Sequence, residues 1–343
     1  MKKALFFRIG AIGDTLLTTP AVRYFKINNP DFEVHYMAGY PAVEILKNNP
    51  YIDKVLFFDE VKTGYSRFIN AMLAGKNIKN TIDRHYDVFF DFESSYYSAY
   101  LSFHVNAKEK AGFKITQKRK FYLNHLYNYR LNYGQKNIYM PLRFIELIKK
   151  YAGNKNNFNI DPVLVISTDE KNQAEKTLRE TGINPGEKAI AVCISGTWES
   201  KKWPLDNWIK LFEKLSPRKI ILLWGPGDEE DVKRIKEKNL TNVFVIPDVK
   251  IRDLSAIVSF SEVLVSNDNG VRHIAQALSV KTIGLFGPTD EKGWMKQDEN
   301  NVALTTPAVC RPCDKTRCKN NFCMKDISPD AVIDKIKKFM FFS

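Results

Sequence analysis

Residues 263–290 read VLVSNDNGVRHIAQALSVKTIGLFGPTD, and this stretch decides the fold. Val263 to Ser266 is a β-branched apolar run, the mark of a buried strand. Asn267-Asp268-Asn269-Gly270 follows as a turn. From Val271 to Leu278 the spacing is helical, with Ile274, Ala275 and Leu278 on one side. Thr282 to Phe286 is a second apolar strand, closed by Gly287-Pro288-Thr289-Asp290. The result is a βαβ unit with both loops at the carboxyl ends of parallel strands, the edge where ligands bind in open α/β sheets. The loop ahead of the helix offers backbone N–H groups and the positive end of the helix dipole, which suits a phosphate. An ordinary crossover with a good cap has the same pattern.

Outward from this unit the alternation continues in both directions. Toward the amino end come strands at Ala189–Ile194, Lys219–Trp224 and Val243–Ile246, separated by helices at Pro204–Leu215, Glu229–Lys238 and Ile251–Ser259. The first part of the chain repeats the scheme, with strands at 4–9, 33–37, 54–58 and 86–92 and helices near 15–26 and 69–80. Such alternation predicts doubly wound parallel sheets. Residues 96–160 are less legible, apart from a helix at Met140–Tyr151. A helix over 168–181 starts with Thr168 as N-cap and Asp169-Glu170 in its first turn. We therefore expect an α/β protein of two Rossmann-like domains, 1–167 and 168–327, facing a central cleft. The amphipathic helix 328–343 is expected to pack back on the first domain.

The chain has 343 residues, long for one core, and a net charge of +13. Such a charge favours polyanionic or phosphorylated partners, although lysines are spread over the whole sequence. They cluster at Lys108, Lys110, Lys114, Lys118, Arg119 and Lys120, interleaved with Phe113, Phe121 and Tyr122. That mixture fits either a membrane surface or a solvated loop. No apolar run reaches the roughly 18–20 residues that span a bilayer. Arg8, Gly10 and Asp14 interrupt the apolar start, so a strand is expected there and not an export signal, which places the protein in the cytoplasm.

Three loops carry a resemblance. The first is Arg8-Ile9-Gly10-Ala11-Ile12-Gly13-Asp14 with Thr18-Thr19-Pro20. The second is Ser195-Gly196-Thr197 with Lys201-Lys202-Trp203-Pro204. The third is Asn267-Asp268-Asn269-Gly270, then His273, then Gly287-Pro288-Thr289. Together, in this order, they resemble the ADP-heptose:lipopolysaccharide heptosyltransferases, glycosyltransferase family 9, which have the two-domain GT-B architecture. The resemblance implies an inverting transfer of heptose from ADP-heptose to a lipopolysaccharide core acceptor, lipid A-Kdo or an inner-core heptose. That acceptor would lie at the inner face of the inner membrane, and no nucleic acid would be bound. A transferase of the same family with another nucleotide sugar or acceptor, or an inactive nucleotide-binding module, is the alternative.

Inverting transfer needs a base for the acceptor hydroxyl, and the resemblance puts Asp14 there, with Gly10 and Gly13 opening the backbone to the acceptor. By itself Asp14 reads equally as a helix cap. The leaving diphosphate needs positive charge and N–H donors. Lys201 supplies the charge. Ser195, Thr197 and the helix start at Asn269, Gly270 and Val271 supply donors, so no metal cofactor is expected for catalysis. Asp268 shapes that loop or meets sugar hydroxyls. Glu229 is either a ribose contact, as in the family, or a first-turn carboxylate. Trp203 reads as a core anchor. His273 reads as a packed residue beside the site, while the resemblance, which keeps a His there, counts it with the substrate-binding residues. The family often carries a hydroxyl residue where Asn269 stands, and an acid where Ser200 stands.

Cys193 reads as a small buried hydrophobe. Cys310, Cys313, Cys318 and Cys323 are clustered, and in a reducing compartment such thiols read as a structural zinc site more readily than as disulfides. A closed four-thiolate site would have no open position for catalysis.

Overall fold

The computed structural model describes residues 1–59, 67–116, 121–133, 137–153 and 158–341. The chain divides into two compact units, Met1–Val165 and Ile166–Ser343.

In the first unit the order is β1 (Lys2–Arg8), α1 (Ile12–Leu16), α2 (Thr19–Asn28), β2 (Phe32–Ala38), β3 (Lys54–Phe57), α3 (Arg67–Thr81), β4 (Tyr86–Asp91), α4 (Tyr96–Ser102), β5 (Ala107–Phe113), β6 (Tyr129–Leu131) and α5 (Met140–Ala152). The strands form a parallel sheet ordered β3-β2-β1-β4-β5-β6. β1 lies at its centre and is buried from Ala4 to Phe7. Phe6 stacks on Phe90 of β4 at 4.8 Å, and Phe25 of α2 meets Phe6 edge-on at 5.4 Å. β5 and β6 arise from the stretch that is hard to read in the sequence. The pattern of β5, AKEKAGF, lacks the apolar run of a central strand, because Lys108 pairs with Asp87 (2.7 Å) and Lys110 donates to the Ser102 carbonyl. Phe113 is buried, so the basic cluster is partly structural. Lys118, Arg119 and Lys120 lie outside the described residues.

The second unit runs α6 (Thr168–Thr181), β7 (Ile190–Cys193), α7 (Leu205–Leu215), β8 (Ile220–Leu223), α8 (Glu229–Glu237), β9 (Val243–Val245), α9 (Ile251–Val258), β10 (Val263–Asn267), α10 (Gly270–Ala277), β11 (Lys281–Leu285), α11 (Glu291–Trp294), β12 (Asn301–Leu304), α12 (Phe322–Lys325) and α13 (Pro329–Phe341). Its parallel sheet is ordered β12-β11-β10-β7-β8-β9. The βαβ unit read from residues 263–290 is β10-α10-β11, at the middle of this sheet. Trp203 anchors the core as expected: it meets Trp208 edge-on at 4.7 Å, and its Nε1 donates to the Ile327 carbonyl (2.9 Å).

Two expectations about domain limits need correction. Ser167, not Thr168, caps α6, through a capping box with Glu170. Glu170 is in turn held by Arg252 of α9 (2.5 Å), which ties the start of α6 to the second unit. The C-terminal helix packs within the second unit. Val332, Ile333, Ile336 and Phe339 of α13 join the core that contains Trp208, Phe212 and Leu215 of α7. An apolar stripe in the sequence demands a partner but does not name it. No helix among the described residues is long and apolar enough to cross a membrane.

Candidate active site

In the first unit the candidate base sits just past the carboxyl end of β1. Ala11 is the N-cap of α1, without a side-chain cap, and Asp14 lies in the first turn. Asp14 is therefore not the cap. Its Oδ2 accepts from Arg8 Nη2 at 3.1 Å, and its side chain is 30% exposed. Arg8 is itself held: Nη1 donates to the Phe92 carbonyl (2.6 Å), Nε lies 3.5 Å from Glu93 Oε2, and the guanidinium stands over the Phe144 ring. Burial works against the Arg8 charge, but Glu93 and Asp14 outweigh it and hold the guanidinium pKa above its ordinary value. Gly10 makes the pairing possible. A Cβ there would stand 3.0 Å from Arg8 Nε and 3.3 Å from Asp14 Oδ2. Gly13 is buried within α1.

Glu93 is set in place by Asp91, at the end of β4. Asp91 Oδ1 accepts from the backbone N–H groups of Glu93 (3.0 Å) and Ser94 (2.8 Å), and Oδ2 from Ser98 (2.7 Å) and Tyr127. Burial pushes its carboxyl up to about 6 despite these donors. Along the same sheet edge, past β5 and β6, lies a groove of about 650 Å³ lined by Lys114, Thr116, His125, Arg130 and Asn132.

In the second unit the loops after β7 and β10 are tied together. Asp268 is buried, with Oδ2 2.7 Å from Lys201 Nζ and accepting from Thr289 Oγ1 (2.8 Å), and Oδ1 accepting from Arg272 Nη2 (2.7 Å). Burial alone would raise its carboxyl, but Arg272 and Lys201 hold it far below the usual carboxylate range. Lys201 Nζ also lies over the Trp198 ring at 4.4 Å. Arg272 is fully buried, braced by Gln276 and the Trp294 carbonyl, and stands over Phe286. Its Nη2 reaches His273 Nε2 at 2.9 Å. A guanidinium only donates, so His273 Nε2 accepts and the ring is neutral. Burial, with the Arg272 charge behind it, pushes the His273 pKa well down. His273 is thus packed against Arg272.

Asp268 accordingly shapes its loop, with both carboxylate oxygens engaged by this chain's own donors. Asn269 is the N-cap of α10: its Oδ1 accepts from Val271 and Arg272 N–H, while its amide donates to the Ser195 carbonyl (2.8 Å) and Cys193 Sγ (3.3 Å). The expected donation from the Asn269 amide and the Val271 N–H to phosphate is therefore already committed inside the protein. Gly270 opens the helix. Ser195 Oγ donates to Asp228 (2.6 Å), which also pairs with Lys202 (2.6 Å). Thr197 and Glu229 are exposed. Glu229 accepts from the Gly227 N–H (3.1 Å) in the first turn of α8. It borders a depression of about 540 Å³ beside Trp224.

Among the described residues no group of three or more His, Cys, Asp or Glu side chains is arranged to hold a metal ion. Cys310 and Cys318 are exposed, while Cys323 is buried.

Sequence reading missed Arg8, Asp228 and Arg272. Asp268 and Arg272 had a readable signal, an acid just ahead of a helix N-cap and a base four residues later in the first turn. The other partners of Arg8 and Asp228 come from distant segments, Phe92 and Glu93 for Arg8 and Ser195 and Lys202 for Asp228.

Residues 76–323 match the model of glycosyltransferase family 9 (heptosyltransferase). The lipooligosaccharide heptosyltransferase 2 of Campylobacter jejuni is 23% identical over 96% of this chain and 95% of its own. A glycosyl transferase family 9 structure from Veillonella parvula superposes with a TM-score of 0.85 at 18% identity, over 100% of this chain and 98% of that one. Escherichia coli heptosyltransferase WaaC, solved with ADP-2-deoxy-2-fluoro heptose, gives 0.70 at 20% identity, over 98% and 99%. The two parallel-sheet units are those of the GT-B fold. With most of its length inside the family model, this chain belongs to glycosyltransferase family 9 and is a glycosyltransferase.

Proposed function

We infer that this chain transfers heptose from ADP-heptose to a lipopolysaccharide inner-core acceptor, either lipid A-Kdo or a core heptose, with inversion at the anomeric carbon. The observation that carries the reading is the state of Asp14. One carboxylate oxygen is fixed by Arg8, and among the described residues no hydrogen bond engages the other. A carboxylate so held can take the proton of an acceptor hydroxyl as that oxygen attacks the sugar. The bond from the anomeric carbon to the diphosphate breaks in the same displacement, and the leaving group departs as ADP. Relatives of this chain are heptosyltransferases, and WaaC is solved with an ADP-heptose analogue, which supports the donor assignment.

Lys201 is the cation for the diphosphate, the Gly270 N–H and the Thr197 hydroxyl are further donors, and no divalent ion is required. The depression bordered by Glu229 and Trp224 takes the nucleoside. The basic groove past β5 and β6, and the net charge of +13, suit a phosphorylated glycolipid at the inner membrane surface and not a nucleic acid.

The test is a thermal-shift screen against ADP, UDP, GDP, CMP and their sugar conjugates, followed by transfer in excess chelator with the anomeric configuration of the product read by NMR. A ligand specific to the folded state adds about 2.7 kcal/mol at a hundredfold excess over Kd. A shift with ADP-heptose, and a product inverted without metal, is expected. A shift with a different nucleotide alone removes the donor assignment, and a retained configuration removes the single displacement.

A further inference from the structure

We propose that the cysteine-bearing segment 306–323 is a strut for the donor-binding loops, with Arg311 as its positioning residue. The proposal rests on the reading above, that the loops around Lys201 and Asp268 receive a nucleoside diphosphate.

Two of the three groups that hold Asp268 come from loops without a strand ladder of their own: Lys201, and Thr289 after β11. The segment grips both loops. Arg311 Nε donates to the Gly287 carbonyl, and its Nη2 donates to the Thr289 carbonyl (3.3 Å) and pairs with Glu291 (3.0 Å). Its Nη1 turns back to the Thr306 carbonyl at 3.3 Å. Between those two contacts, the Pro288 carbonyl accepts from both Cys313 N–H (2.9 Å) and Asp314 N–H (3.0 Å). On the other side Ser200, the neighbour of Lys201, donates its N–H to the Thr316 carbonyl (3.2 Å) and its hydroxyl to the Lys315 carbonyl (2.5 Å). Residues 311–316 therefore bind three successive carbonyls of one loop and the residue before the candidate catalytic lysine in the other. The fit is close. A Cβ on Gly287 would meet Met324 Cγ, just past the strut, at 2.6 Å.

Arg311 suits this task because a planar guanidinium serves several acceptors in fixed directions, whereas a lysine ammonium is a single point charge. The side chain is 10% exposed, so water does not readily replace it. It touches no group that reacts. It acts by fixing the Thr289 loop against Asp268, which in turn fixes Lys201.

The experiment compares Arg311→Ala and Arg311→Lys with wild type in the full chain. It reads amide hydrogen exchange at Ser200, Cys313 and Asp314, ADP affinity by calorimetry, and KM for donor and acceptor. Losing the guanidinium should speed exchange at the three amides and raise both the ADP Kd and the donor KM by about tenfold, the scale of one or two lost hydrogen bonds. The acceptor KM should stay near wild type, and the lysine variant should fall between. Unchanged exchange and unchanged ADP affinity in a folded Arg311→Ala protein would overturn the strut. If that variant does not fold, Ser200→Ala removes one contact only. Faster exchange at the amide of position 200, corrected for the intrinsic rate, with a higher donor KM is then expected, and wild-type values for both overturn the proposal. If wild type itself binds no ADP, the donor assignment fails, and exchange at the three amides still decides the strut.

Discussion

Asp14 in the first unit and Asp268 in the second both follow a central strand at the carboxyl edge of a parallel sheet, and both contact a basic side chain. Asp14 is partly exposed and held through one oxygen by one arginine. The Asp268 side chain is 6% exposed and is shared among a lysine, an arginine and a threonine hydroxyl. A carboxylate surrounded by cations in a dry site is a poor proton acceptor, because protonation would leave two buried cations unpaired. A carboxylate with an open oxygen and one fixed oxygen can accept a proton in a defined direction. Under the proposed function the same residue type is the base in one unit, while in the other it is an internal counter-ion.

The strongest test of this contrast is Asp14→Asn, which keeps the shape and removes the basicity. Transfer should fall by about 10²–10⁴-fold, while ADP affinity stays near wild type in calorimetry. A variant that turns over at the wild-type rate would end the role of Asp14 as base. The mirror experiment is Asp268→Asn. Removing one partner of a buried ion cluster costs about 3–5 kcal/mol, so the second unit should melt roughly 10 °C lower, with activity lost through Lys201. A melting point equal to wild type would mean that Asp268 is not the counter-ion described.

Protonation sharpens the comparison. The Asp268 carboxyl is held down, so its contribution is complete above the unfolded value near 4 and is lost as pH falls below it. Asp91, which orients Glu93 in the first unit, is pushed up to about 6. Its contribution has the opposite sign: stability is fullest below pH about 4 and declines as pH rises to about 6, by roughly 3 kcal/mol. Relative to wild type, Asp91→Asn should therefore gain stability across that interval and level off above it. Denaturant melts at pH 4, 5, 6 and 7 measure this, and a difference that does not change with pH would contradict it. The smallest effect expected is for Lys201→Ala. It should weaken ADP binding by about tenfold, one cation–phosphate contact, and unchanged affinity would remove Lys201 from the diphosphate site.

Legibility in the sequence followed the locality of the cause. The helix start at Asn269 and the Asp268–Arg272 pair are set within a few residues, and the turn pattern NDNG marks the place. β5 was hidden because it carries charges that find partners on β4 and α4. Arg8 was quoted within a motif but had no visible role, since its carbonyl partner is Phe92, 84 residues away. The cysteine spacing suggested a metal knot, yet the residues that matter between those cysteines are Arg311 and the backbone of 313–316.

The alternation of strands and helices, the parallel sheets that follow from it, and the loops that carry the family's motifs are all written in the chain itself. These depend on periodicity and turn chemistry, which act over a few residues. It took the folded chain to show which oxygen of Asp14 stays open, that both oxygens of Asp268 are taken, that α13 closes the second unit, and that residues 311–316 hydrogen-bond to the loops at Gly287–Thr289 and Ser200. Each of these is a contact between segments far apart in the chain, and pairwise burial and hydrogen bonding at that range leave no period in the sequence to read.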